Sequence, residues 1–176
     1  METLKYTAVR KVKDLNRAHP TDAGIDFYIP EDLSVADFAP KCQTTGDDLM
    51  ITLNEQKFIK DIVLKPGQSV LIPSGIHVKI PHGYALIYFN KSGVASKKHL
   101  HVGASVVDEC YQGECHLNLS NVGTTDITIS AGDKIVQGIL IPINYAQAEK
   151  IESLEELYAD GKSDRGTCGF GSSGTK

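Results

Sequence analysis

Short runs rich in Val, Ile, Leu and Tyr, broken every few residues by Gly, Pro or Asn, most limit what this chain can fold into. Residues 69–72, 76–80, 85–89, 115–119, 127–129 and 134–141 are of strand length. Pro66-Gly67 and Pro81-His82-Gly83 stand between such runs as turns. In Cys115-His116-Leu117-Asn118-Leu119 apolar and polar residues alternate, the period of a strand with one buried face. Helix is expected in two short places only, residues 94–98 after Lys91-Ser92-Gly93 and the Glu-rich 151–158. Many short strands with little helix predict an all-β domain, a sandwich or jelly roll.

A chain of 176 residues, 41% hydrophobic and 23% charged, has the size and composition of one soluble domain with its own core. Its net charge of −4 argues against coating nucleic acid, which needs many cations on phosphates. A small anionic substrate stays open, because a local cluster of donors is enough. No apolar run approaches the roughly 20 residues that cross a bilayer, and Met1-Glu2-Thr3-Leu4-Lys5-Tyr6 lacks the apolar centre of a signal peptide. A cytoplasmic location is the expectation. Cys42, Cys110, Cys115 and Cys168 match no zinc spacing and are expected as free thiols.

Two stretches depart from the strand pattern. Residues 31–58 are irregular and partly polar, and read as an insertion or an extended hairpin. Residues 164–174 hold four glycines in the run Asp164-Arg165-Gly166-Thr167-Cys168-Gly169-Phe170-Gly171-Ser172-Ser173-Gly174. A Gly-rich tail is often a plain linker, but this one carries one Arg and one Phe. Gly and Ser let N–H and hydroxyl groups converge on an anion, Arg165 can fork onto a phosphate, and Phe170 can stack on a flat base.

Four further segments carry candidate chemistry, each with a bland alternative. Asn90-Lys91-Ser92-Gly93 lies where a strand gives way to a helix, so it offers free N–H groups to phosphate, or Ser92 is simply the N-cap. Asp108 follows two Val residues in a turn, where a partly desolvated carboxylate can act as general base or merely cap the turn. Gly132-Asp133 reads as a turn feeding a strand that carries Gln137. The carboxylates of Asp22 and Asp26 suit a metal or a closed loop. His99 and His101 would share a strand face, but no third ligand accompanies them.

Taken in chain order, five of these segments resemble the five motifs of the trimeric dUTPase family. They are Ala23-Gly24-Ile25-Asp26-Phe27, Lys91-Ser92-Gly93-Val94-Ala95, the stretch 103–113, Gly132-Asp133-Lys134-Ile135-Val136-Gln137 and the tail 165–174. The resemblance covers roughly residues 6–176 apart from 31–58. It implies a jelly-roll-like distorted β-barrel over residues 1–162 and a mobile C-terminal arm, 163–176, closing over the active site. It also implies a homotrimer whose active sites are shared between subunits.

The implied reaction is hydrolysis of dUTP to dUMP and pyrophosphate, which limits uracil in DNA and supplies dUMP for thymidylate synthesis. Asp108 would activate the water that attacks the α-phosphorus. Tyr111 would pack against deoxyribose and exclude a 2′-hydroxyl. The hairpin from Gly103 to His116, with Ser105 and Val107, would bind uracil mainly through backbone groups. Lys91, Ser92, Gly93 and Gln137 would meet the phosphate chain. Arg165, Gly171, Ser172 and Ser173 would close on its far end, and Phe170 would stack on uracil. Mg²⁺ would ride on triphosphate oxygens and water with no direct protein ligand, and Asp26 would support that region indirectly.

Three positions depart from the family's usual pattern. Lys91 stands where Arg is usual and loses the bidentate fork. Cys168 stands where Gly is usual. Gly138 stands where a larger apolar residue is common, which is expected to loosen its strand. Two other functions remain beside dUTP hydrolysis. One is dCTP deamination within the same superfamily, with Glu114 as proton shuttle. The other is a non-catalytic trimeric binding or regulatory protein on the same scaffold.

Overall fold

The apolar and alternating runs pair as antiparallel strands, which satisfies their backbone N–H and C=O groups while burying one face. A computed structural model describes residues 2–38, 42–161, 163 and 166–167. In chain order the strands are β1 (Lys5–Ala8), β2 (Ile25–Tyr28), β3 (Met50–Leu53), β4 (Ile59–Leu64), β5 (Ser69–Pro73) and β6 (Ile76–Lys79). After them come β7 (Tyr84–Asn90), β8 (Leu100–Val102), β9 (Val106–Val107), β10 (His116–Asn121), β11 (Ile127–Ser130) and β12 (Lys134–Pro142). Helix is limited to α1 (Ser92–Lys98) and α2 (Leu154–Leu157) among the described residues. The all-β reading holds.

The strands form four small sheets with orders β1-β6, β5-β10-β8, β11-β4-β3 and β2-β12-β7-β9. The last sheet matters most for function. Its central strand β12 pairs Gln137 with Asp26 of β2 on one side and with Phe89 of β7 on the other. Segments far apart in sequence, 23–27, 89–93 and 132–137, therefore lie side by side. A register shift between Lys134 and Val136 marks an irregularity in β12 next to them.

Buried side chains from all these sheets meet in one core that includes Phe27, Ile62, Ile72, Leu86, Leu117 and Val136. The Phe27 and Tyr88 rings meet edge to face, 5.0 Å apart at 81°. The 31–58 stretch contributes to this core through Leu33, Phe38, Cys42 and Leu49, and it contains β3, which pairs with β4. The turn between these strands folds on Asn54, whose side chain accepts from the N–H groups of Gln56 and Phe58. Lys57 there adopts φ 64°.

Gly138 corrects one expectation. It is buried, and a Cβ there would lie 2.8 Å from Leu86 Cδ1 and 2.9 Å from Phe27 Cε2. Neighbouring side chains fill the space a larger residue would take, so the strand is tightly packed at this point, not loosened.

The chain divides into two compact units, Met1–Asn144 and Tyr145–Lys176. The second contains α2, whose N-cap Ser153 accepts from the Glu156 N–H at 3.1 Å. Cys42, Cys110 and Cys115 are free thiols.

Candidate active site

The β2-β12-β7 neighbourhood is a knot of charge around one buried carboxylate. Asp26 is 3% exposed. Lys91 Nζ donates to its Oδ1, and Lys134 Nζ lies 3.0 Å from its Oδ2. Burial alone pushes this carboxyl up, but the two lysines outweigh it and hold the group below the usual carboxylate range. The same pairing raises Lys134. Beside it, Gln137 Nε2 donates to the Asn90 carbonyl at 2.9 Å, and the Gln137 side chain lies where a Cβ on Gly24 would stand. Gly24 is therefore required by the close approach of Gln137.

Helix α1 starts immediately after Asn90-Lys91. Its N-cap is Lys91, which makes no side-chain cap bond, and Ser92 is the first helical residue. The Ser N-cap alternative is thus ruled out. Val94 and Ala95 N–H both donate to the Lys91 carbonyl at 2.9 Å. The N–H groups of Ser92 and Gly93 precede any intrahelical acceptor, as at every helix start. His99 ends the helix with φ 53° and donates its backbone N–H to the Ala95 carbonyl.

The 103–116 segment forms the second part of the site. Its first half is held by Gly103 N–H and Ala104 N–H, which donate to the carbonyl and side chain of Asn118 at 2.9 and 3.0 Å. Ser105 accepts from Tyr88 N–H at 2.8 Å, and Val107 pairs with Leu86. Asp108 then opens a turn in which Tyr111 N–H returns to the Asp108 carbonyl at 3.1 Å. The turn is tied to its neighbours by Glu109, whose carboxylate accepts from Gly83 N–H and meets His82 Nδ1, each at 2.9 Å. Asp108 itself is exposed, against the expectation of partial desolvation, and its carboxylate bonds to no described residue.

Between β7 and this segment lies a pocket of about 190 Å³. Leu71, Tyr88, Ala104, Val106, Val107, Asp108, Tyr111, Cys115 and His116 line it. Its inner wall is apolar. The buried Tyr88 hydroxyl has the Cys115 thiol as a polar neighbour there, and burial pushes both the Tyr88 phenol and the Cys115 thiol up. An apolar slot with a free carboxylate at its mouth suits a flat, weakly polar ring placed beside a water to be activated.

Glu114 follows the turn and is fully committed. Arg10 Nε and Nη2 reach its two oxygens at 2.9 and 3.3 Å, and Gly75 N–H donates to Oε1 at 2.7 Å. Burial raises this carboxyl, but Arg10 and the Gly75 amide more than offset it and keep it ionised. A carboxylate locked in this way is badly placed to shuttle protons, which counts against the deaminase alternative.

Val107, Asp108, Tyr111 and His116 line one pocket, Gly103 and Ser105 lie in the same segment but not on its lining, and Asp26, Lys91, Ser92, Gly93 and Gln137 lie along one sheet and helix start. Arg165, Phe170, Gly171, Ser172 and Ser173, with Cys168, lie outside the described residues. The sequence gives no role to Arg10, Lys134, Glu109, Tyr88 or Cys115. Of these, Lys134 and Glu109 adjoin residues that were singled out, whereas Arg10 meets Glu114 across 104 positions with no local signal.

Comparison with known proteins identifies the family. The dUTPase family model matches residues 57–174. The Deoxyuridine 5'-triphosphate nucleotidohydrolase of Pseudomonas putida (strain W619) is 37% identical over 135 residues, 75% of this chain and 82% of that protein. The enzyme of the same name from Chlamydia trachomatis serovar L2 is 39% identical over 132 residues, covering 74% of this chain and 84% of its own. Among solved structures, the Staphylococcus bacteriophage 80alpha dUTPase with dUPNHPP aligns over 99% of this chain and 100% of its own, with a TM-score of 0.73 at 24% identity. At that identity the likeness speaks for the fold alone.

Proposed function

The chain belongs to the dUTPase family, and from that membership and the geometry of its site we propose how it hydrolyses dUTP to dUMP and pyrophosphate. It is a dUTP diphosphatase. The observation that carries the mechanism is Asp108, a free carboxylate at the mouth of an apolar pocket with Tyr111 beside it. Asp108 takes a proton from water as that water attacks the α-phosphorus, and pyrophosphate leaves. Uracil enters the pocket between β7 and the 103–116 segment and is read by backbone groups near Gly103, Ser105 and Val107. Tyr111 stands against the deoxyribose. Lys91, Ser92, Gly93 and Gln137 hold the phosphate chain, with Lys91 kept in place by Asp26. Arg165, Gly171, Ser172 and Ser173 are assigned to the far phosphates and Phe170 to the base, within an arm of residues 163–176 that excludes bulk water.

Both Asp26 oxygens are taken by lysines, and no group of three His, Cys, Asp or Glu among the described residues is placed to cage a metal. Mg²⁺ is assigned to the substrate's phosphates rather than to a protein cage, since such an ion would need few protein ligands. Mg²⁺ bound with the substrate would supply charge neutralisation for the leaving pyrophosphate. A homotrimer is the proposed assembly. Val106 on the pocket wall and Phe89 on β7, 64% and 41% exposed, supply apolar surface for a second subunit to cover. No helix among the described residues is long and apolar enough to cross a membrane, and a cytoplasmic location is proposed.

The test is a product assay on dUTP, dCTP, dTTP and UTP with and without Mg²⁺. Pyrophosphate and dUMP from dUTP alone, abolished by chelation, are expected. Ammonia from dCTP would move the chain to the deaminase branch.

A further inference from the structure

Tyr111 does not hold itself in place. Its hydroxyl donates to the Glu114 carbonyl at 3.0 Å, and His116 Nδ1 meets the same carbonyl at 2.8 Å. Its ring folds over Gly113, where a Cβ would lie 2.6 Å from Tyr111 Cζ. One backbone oxygen thus orients the two polar side chains on this wall of the pocket. That oxygen is fixed by the Glu114 side chain, which Arg10 grips from the N-terminal segment and Gly75 N–H from the β5–β6 turn. Both side chains of the Arg10–Glu114 pair are 17% exposed, so the pair is partly desolvated and geometrically strict. Gly75 must be glycine there, since φ is +74° and a Cβ would stand 2.9 Å from Arg10 Cβ.

We propose that the Arg10–Glu114 pair is a positioning device for sugar selection, holding Tyr111 where it admits 2′-deoxyribose and rejects ribose. The proposal rests on the assignment of Tyr111 to the sugar. Glu114 and Arg10 touch no substrate; they act through the Glu114 carbonyl on the Tyr111 ring. A ring released from that carbonyl swings, leaving room for a 2′-hydroxyl and losing contact with deoxyribose.

The experiment compares kcat/KM for dUTP and for UTP in the full chain with Mg²⁺. Glu114→Ala is expected to reduce the dUTP-over-UTP ratio by roughly tenfold, the scale of one lost orienting hydrogen bond, through KM for dUTP more than through kcat. Arg10→Lys, which keeps the charge but loses the fork, should fall between it and the wild type. Tyr111→Phe removes only the hydroxyl from a partly exposed ring, so it folds in any case, and it should reproduce the Glu114→Ala loss. Combined with Glu114→Ala it should add nothing further, because both release the same ring. A Tyr111→Phe enzyme with wild-type selectivity would overturn the proposal. So would Glu114 and Arg10 variants that melt earlier yet discriminate as before, since that is the mark of a purely structural pair. A wild type that turns over UTP as readily as dUTP would overturn the sugar assignment itself, and the proposal with it.

Discussion

Around Asp26 both carboxylate oxygens are paired, one with Lys91 and the other with Lys134, in a place 3% exposed. Around Asp108 the chain leaves the carboxylate open to solvent and without a partner among the described residues. The two residues have the same side chain and both fall in segments that look functional. The difference lies in where their strands put them. β2 and β9 are the two edge strands of one sheet, but Asp26 lies within β2 beside β12, facing Lys91 and Lys134, whereas Asp108 lies in the turn that follows β9. A carboxylate spent on two ion pairs orders cations, and one left free is available to take a proton.

Replacing each in turn gives the sharpest contrast. Asp108→Asn should cut turnover by about 10²–10⁴-fold, the usual worth of a general base, with a melting temperature close to wild type. Steady-state kinetics beside a thermal melt would read both, and a large stability loss would break the contrast. Asp26→Ala should do the reverse in emphasis, lowering stability by roughly 1–3 kcal/mol in a urea titration. The low end is favoured because Lys134 reaches water when released. Lys91, no longer aimed by Asp26, should also weaken substrate binding, seen as a raised KM.

Next in size is Gly138→Ala, which drives a methyl into Leu86 and Phe27 in the same sheet and should cost about 1–2 kcal/mol by denaturant unfolding. The smallest effect is in acid. The Asp26 carboxyl sits below its ordinary 3.8 in the folded chain, so the stability it adds is complete above that value and fades as pH falls through the lowered one. The stability difference between wild type and Asp26→Asn should be flat from neutral pH to about pH 4 and shrink below it.

Much of this was legible in the residues. Strands announce themselves by period two and by turn residues, so the runs at 69–72, 76–80, 85–89 and 127–129 became strands with nearly the expected ends. The motif order pointed to Asp26, Lys91, Asp108, Tyr111 and Gln137 because each sits beside local punctuation of Gly or a strand end. What stayed hidden depends on distant parts of the chain meeting. Arg10 reaches Glu114 only through the pairing of β1 with β6, and Lys134 reaches Asp26 beside a register shift that no pattern encodes. Gly24 and Gly138 look like permissive positions in sequence and prove to be close approaches. The core residues of 31–58, Leu33, Phe38, Cys42 and Leu49, follow no regular period, so their burial could not be read from spacing.

The most direct measurement is a single turnover of dUTP in ¹⁸O-labelled water, with both products weighed by mass spectrometry. Water activated at Asp108 and attacking the α-phosphorus should leave one labelled oxygen in dUMP and none in pyrophosphate. Label in pyrophosphate would mean attack at the β-phosphorus, and would contradict the role assigned to Asp108.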